Sequence, residues 1–148
     1  MESYNKMMAR HQQESNNFPI HFAFGDSQIK SKFAELGLDP ENDIDKILAI
    51  PGTGGFILKK DEPAYLAMCE RHKSEFLNAI AADKKGTGFI YQMFRRELEQ
   101  HEFAYTENPE DTLNALGYTE EQIKASKALK RGFEKAKNNV LNRGKCEG

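Results

Sequence analysis

The chain has 148 residues, 39% of them hydrophobic and 30% charged, with a formal net charge of −2. That is enough apolar material for a packed core in one domain, and it excludes intrinsic disorder, a wholly basic nucleic-acid binder and a strongly acidic mimic of DNA. The two cysteines form no disulfide framework, and neither a secretory signal nor a membrane-spanning run is expected, so the reading is a reduced, cytoplasmic protein with no membrane partner.

The average charge hides a gradient. From Thr119 onward there are 8 Lys/Arg against 4 Asp/Glu, whereas the rest of the chain has 13 against 19. The basic end is the C-terminal one.

Residues 1–17 are mostly polar and end in Glu14-Ser15-Asn16-Asn17, which reads as a flexible N-terminal arm. A single domain is expected over 18–141, with a flexible tail at 142–148. In Phe18-Pro19-Ile20-His21-Phe22-Ala23-Phe24 the apolar side chains recur every second residue, the period of a half-buried strand with His21 on its other face. Gly25 breaks this strand, Asp26 or Ser27 caps a helix through Glu35, and Gly37 closes it with a left-handed residue. A short helix is expected around Asp43–Ala49, ending before Pro51. After the turn Pro51-Gly52-Thr53-Gly54-Gly55, the run Phe56-Ile57-Leu58-Lys59-Lys60 is predicted to pair with Phe18–Phe24.

The remainder reads as helical. Helices are predicted over Asp61–Ala82 and Gly88–Tyr105, joined by a connection short enough to make them antiparallel neighbours. Asn108-Pro109 opens another helix that Gly117 closes, and Thr119 with Gln122 forms a capping box at the start of a long last helix. The expected fold is therefore α+β: mainly helical, with a small two-stranded antiparallel sheet and a central antiparallel helix hairpin.

The hairpin carries the candidate chemistry. At about 100° per residue, Ile90, Met93, Phe94 and Leu98 share a stripe that also contains Glu97 and His101. The preceding helix has Tyr65, Cys69, Phe76 and Ile80 in line with His72. Counting back from the connection sets His72 level with Glu97 and Cys69 level with His101. A thiol, two imidazoles and a carboxylate are donors that suit zinc or iron, which gives a metal-binding or metal-dependent hydrolase reading. The plainer reading is a buried hydrogen-bonded network, satisfied because unpaired buried charge is costly. Between these stands a partner or ligand surface made of Glu97, His101, Glu102, Tyr105 and His72. No nucleophilic triad and no paired acids stand out, so no catalytic residue is assigned.

Two glycine clusters are weighed as phosphate cradles. Gly52-Thr53-Gly54-Gly55 leads into a strand and so lacks the context of a phosphate loop, whereas Gly86-Thr87-Gly88 precedes a helix beside Lys84 and Lys85. The second is the better anion perch, without a full motif. In the last helix Ala125, Leu129, Phe133, Ala136 and Val140 form an apolar stripe, opposite Lys124, Arg131 and Lys135 with Lys127 alongside. Such a row binds nucleic-acid phosphate or is simply a solvated face.

The stretches Gly54–Ile57, Ala79–Lys84, Gly88-Phe89-Ile90 with Met93-Phe94, and Glu97-Leu98 followed by His101–Thr106 resemble a small bacterial family of unknown function, found on conjugative and phage-like mobile elements. The resemblance spans about Phe18–Phe133 and assigns no catalytic residue. It implies a cytoplasmic accessory protein of a mobile element. The leading expectation is thus a non-enzymatic binding or regulatory protein with a protein partner and no cofactor; the alternatives are a zinc or iron protein and a nucleic-acid-associating protein.

Overall fold

A computed structural model describes residues 2–146, with side chains through 142. In chain order the elements are α1 (Tyr4–Asn17), β1 (His21–Phe22), α2 (Asp26–Glu35), β2 (Ile47–Ile50), β3 (Gly55–Leu58), α3 (Glu62–Ala82), α4 (Phe89–Gln100), α5 (Phe103–Thr106), α6 (Glu110–Leu116), α7 (Glu120–Ala125) and α8 (Lys127–Cys146). The protein is mainly helical α+β. It divides into two compact units, one of residues 10–73 and the other of residues up to Ala9 together with those from Ser74 onward.

In the 10–73 unit the sheet is antiparallel with strand order β1-β3-β2. The expected pairing of the first strand with the Phe56 run is found, in the register His21 to Phe56 and Phe22 to Gly55. The sheet has a third strand where a helix was expected: only Ile44–Lys46 makes a turn of 3-10 helix, and Ile47–Ile50 pairs along β3 from Leu58 to Gly55. The β-branched Ile47 and Ile50 favour an extended backbone, and the glycine turn beyond Pro51 returns the chain as a hairpin. Thr53 secures that turn, its hydroxyl donating to the Ile50 carbonyl at 2.9 Å and accepting from the Gly55 N–H at 3.0 Å.

Strand β1 turns its aromatic side chains the other way from expectation. Phe22 and Phe24 are 51% and 65% exposed, while half-buried His21 lies beside Phe56 with ring centroids 5.5 Å apart. The two phenylalanine rings lie over Gly54 and Gly55, where an added Cβ would come within 2.8 Å of each ring. The absent side chains leave room for them. Beneath the sheet, Phe33 of α2 packs edge-on to Phe56, and Ile57 is fully buried. Helix α2 closes as its sequence predicts: Gly37 takes φ +72°, and the Leu38 N–H reaches back to the Phe33 carbonyl at 2.8 Å.

The other unit is built around α4 lying on α8. Ile90, Met93, Phe94 and Leu98 are all buried, as the stripe requires, together with Phe89. Leu129, Phe133, Ala136 and Val140 of α8 meet them, with the Phe94 and Phe133 rings 5.0 Å apart. Burial of each of these side chains larger than alanine stabilises the fold by about 1.5–3 kcal/mol. The end of α3 contributes Phe76, Ala79 and Ile80 at the margin of this core, so the central helix pair is α4 with α8 rather than α3 with α4. The close approach depends on two glycines. A Cβ on Gly132 would lie 2.5 Å from the Gly86 carbonyl oxygen, and one on Gly86 would lie 1.9 Å from that of Ala128.

Three further expectations are corrected. Within the stretch read as an arm, Tyr4–Asn17 is helical, and Tyr4 and Met7 are buried in the α4–α8 core. Its polarity reflects a helix of which only Tyr4 and Met7 are buried. The helix drawn as Gly88–Tyr105 stops at Gln100, because Glu102 takes a left-handed φ of 58° before the short α5. The last helix is two: the Thr119–Gln122 capping box is present, but Ser126 is extended and its hydroxyl accepts from the Leu129 N–H to start α8 afresh. Ile123 is buried there and Ala125 is exposed. Of the expected tail, 142–146 continues α8, and 147–148 lie outside the described residues.

Candidate functional site

The proposed hairpin surface separates into buried and exposed parts. Glu97 accepts a 2.8 Å hydrogen bond from the Tyr4 hydroxyl, and its other oxygen lies 3.9 Å from His101 Nε2. The Glu97 carbonyl accepts from Thr112, the buried hydroxyl of α6. Burial first, then the bond to Glu97, drives the Tyr4 phenol above its ordinary pKa of 10.0. Glu97 therefore ties together the core. Glu102 and Tyr105 fall outside α4: Glu102 and Glu107, both with left-handed backbone, bracket α5, and Tyr105 on that turn is 88% exposed.

Cys69 and His72 lie in the 10–73 unit and have other neighbours. Cys69 is exposed and hydrogen-bonds the Tyr65 side chain; partial burial first, then this bond, raises the Tyr65 pKa. The His72 ring stacks on His11 with centroids 3.9 Å apart and planes 12° off parallel, and its Nε2 is 3.3 Å from Glu14. Glu14 is also paired with Arg71 and Arg10. Its carboxyl is held down to about 2 by Arg71 first, with His72 assisting against a smaller desolvation effect. Among the described residues no group of three or more His, Cys, Asp or Glu side chains is disposed to hold a metal ion.

The glycine perch before α4 has an internal occupant. The Asp83 carboxylate accepts from the backbone N–H groups of Gly86, Gly88 and Ile90, at 3.1, 3.1 and 3.0 Å. A side chain of the chain itself thus sits where an external anion was considered, favoured by the helix N-terminus. The Gly52–Gly55 cluster is a hairpin turn.

The basic row is distributed over two helices. Lys124 is exposed on α7, whereas Lys127, Arg131 and Lys135 are exposed on α8, opposite the buried Leu129, Phe133 and Ala136. Gly86 against the Ala128 carbonyl brings the exposed Lys84 and Lys85 to the start of α8. Lys135 Nζ lies 4.3 Å from the centroid of the Tyr91 ring on α4, a cation–π contact that joins the row to α4.

Beyond Tyr91 lies a recess of about 130 Å³, lined by Asn5, Tyr91, Gln92, Arg95, Arg96 and Glu99. Its amides are oriented by fixed partners. Gln92 Oε1 accepts from the Tyr4 N–H at 2.9 Å, and Asn5 Oδ1 accepts from Arg96 at 3.3 Å. Arg95 stands 3.8 Å from Glu99, and its Nε is buried without a hydrogen-bond partner. The spacing of Gln92, Arg95, Arg96 and Glu99 on one side of a helix was available from the sequence. Asn5 comes from the first turn of α1, within the stretch expected to be a flexible arm.

A family model, described as a family of unknown function (DUF7659), matches residues 3–139. No curated protein and no solved structure matches the chain.

Proposed function

The chain belongs to the DUF7659 family, which carries no assigned activity, and from its own geometry we propose a non-enzymatic binding protein that holds a nucleic-acid strand by its phosphates. The observation that carries this reading is the exposed cationic row Lys127, Arg131 and Lys135 on a helix whose opposite face is fixed in the core, with Lys84 and Lys85 brought alongside by Gly86. A rigidly mounted row of cations releases counterions on meeting phosphate, which favours binding without base recognition. Tyr91, partly buried against the core, holds Lys135 beside α4 through its ring face. No helix among the described residues is long and apolar enough to cross a membrane. In the proposed role the protein is a cytoplasmic accessory of a bacterial mobile element.

The test is fluorescence anisotropy with labelled single-stranded DNA and RNA. A Lys127→Glu, Arg131→Glu variant is expected to lose at least tenfold in affinity, while Lys46→Glu, on the 10–73 unit, stays within twofold. Equal loss in both variants, or none in either, contradicts the assignment to α8.

A second reading is favoured by Tyr105. A tyrosine 88% exposed on a turn bracketed by two left-handed glutamates suits the anchor of a protein interface. In this reading the acidic turn of Glu102, Tyr105 and Glu107 recruits a protein partner, and Tyr105→Ala abolishes that capture without altering nucleic-acid affinity.

A further inference from the structure

We propose that the recess between the start of α1 and α4 is a phosphate-binding site, with Arg95 and Arg96 as its cationic donors. The proposal rests on the polyanion reading and gives that surface a defined seat for one phosphate group.

An arginine only donates, and a backbone N–H only donates. The bonds from Arg96 to Asn5 and from the Tyr4 N–H to Gln92 therefore commit the carbonyl oxygen of each amide to the protein. What Asn5 and Gln92 can still offer is their NH2 groups. With the two guanidinium groups and the Tyr91 hydroxyl, the lining is dominated by donors, and the one carboxylate, Glu99, stands 3.8 Å from Arg95 at the limit of an ion pair. A buried donor without an acceptor is rare in folded proteins, and the Nε of Arg95 is one. An oxyanion entering the recess would meet the outer N–H groups of the Arg95 guanidinium, whose side chain is 39% exposed, and the planar fork of arginine matches two oxygens of a phosphate.

Size and position narrow the ligand. At about 130 Å³ the recess is well below the roughly 300–1,000 Å³ of sites that enclose drug-sized molecules, so it takes a single anionic group. Tyr91 belongs both to the recess and to the contact with Lys135, so the recess continues the cationic row of α8. A phosphate seated there is either free inorganic phosphate or a phosphate of a bound strand.

The experiment follows the Arg95 Nε–H resonance by NMR, identified through its absence in Arg95→Lys, in the full-length protein at constant ionic strength. Inorganic phosphate is expected to shift it saturably where chloride does not, and a 5′-phosphorylated oligonucleotide is expected to shift it in the same direction. Gln92→Glu, which keeps the acceptor for the Tyr4 N–H but places a carboxylate in the recess, is expected to weaken phosphate at least tenfold. An oligonucleotide that perturbs α8 while phosphate leaves Arg95 unmoved overturns the site and spares the polyanion reading. Saturable phosphate binding with no oligonucleotide binding keeps the site, makes free phosphate its ligand, and overturns the polyanion reading.

Discussion

The Tyr4 hydroxyl donates to Glu97 Oε1 over 2.8 Å, linking residues 93 positions apart in the sequence. Tyr4 is 3% exposed, packs edge-on to Phe89, and has Arg96 5.8 Å above its ring, so its phenol is fixed on every side. Tyr4→Phe leaves a carboxylate oxygen short of a donor and is expected to cost about 1–3 kcal/mol, measured by urea unfolding at pH 7. Because the folded phenol titrates above its unfolded value of 10.0, the contribution is constant below pH 10 and is lost as pH rises beyond it. Wild type should therefore lose stability more steeply than Tyr4→Phe above pH 10, and parallel curves would contradict this account.

Glu14 gives the opposite sign. Its carboxyl is lowered from 4.5 to about 2 by Arg71 and then His72, so its contribution is present above pH 4.5 and disappears as pH falls toward 2. Glu14→Gln is expected to lower the melting temperature at pH 7 and to match wild type near pH 2. A difference that persists unchanged at pH 2 would mean that the pair acts through packing rather than charge.

Asp83 is the hub of the turn into α4, with three backbone N–H groups directed at one carboxylate. Asp83→Ala should cost about 1–3 kcal/mol in chemical unfolding, by orphaning those donors at a helix N-terminus. Asp83→Asn keeps acceptor oxygen and should recover part of that loss. No loss in the alanine variant would show that solvent satisfies the turn equally well.

Gly132 tests the α4–α8 contact. An added Cβ would meet the Gly86 carbonyl oxygen at 2.5 Å and Ile90 at 2.6 Å, so Gly132→Ala forces the helix and the turn apart. The expected cost is about 1–3 kcal/mol by thermal unfolding, although alanine is the better helix former. A stabilised variant would mean that the close approach is not required.

Much of this fold is written locally. The Thr119–Gln122 capping box, the left-handed Gly37 and Gly117, and the buried stripe from Ile90 to Leu98 follow from short-range rules and are found where those rules put them. The failures concern partners distant in sequence. Nothing within residues 1–17 announces that Tyr4 and Met7 enter a core completed by α4 and α8. Strand face was misjudged for Phe22 because period 2 gives alternation without saying which side is inward, and Gly54 and Gly55 decided that. Helical phase likewise aligned Glu97 and His101, but not the break at Glu102 that removes Tyr105 from their face. Of the cationic row, Lys127, Arg131 and Lys135 follow from one helix and its buried side, whereas Lys124 falls on α7 because the chain breaks at Ser126. The recess was not legible, because Asn5 comes from one end of the chain and Arg95 from far along it.

The central claim is that a phosphate backbone binds the cationic face of α8, and its salt dependence is the most direct measure. For the wild-type protein and single-stranded DNA, log affinity plotted against log salt is expected to fall linearly, with a slope of about −0.7 for each phosphate contacted. Three α8 cations together with Lys84 and Lys85 predict a total near −2 to −4 on that basis. A slope in that range which becomes shallower in Lys127→Glu, Arg131→Glu supports the account. No binding at low salt, or binding indifferent to salt, contradicts it.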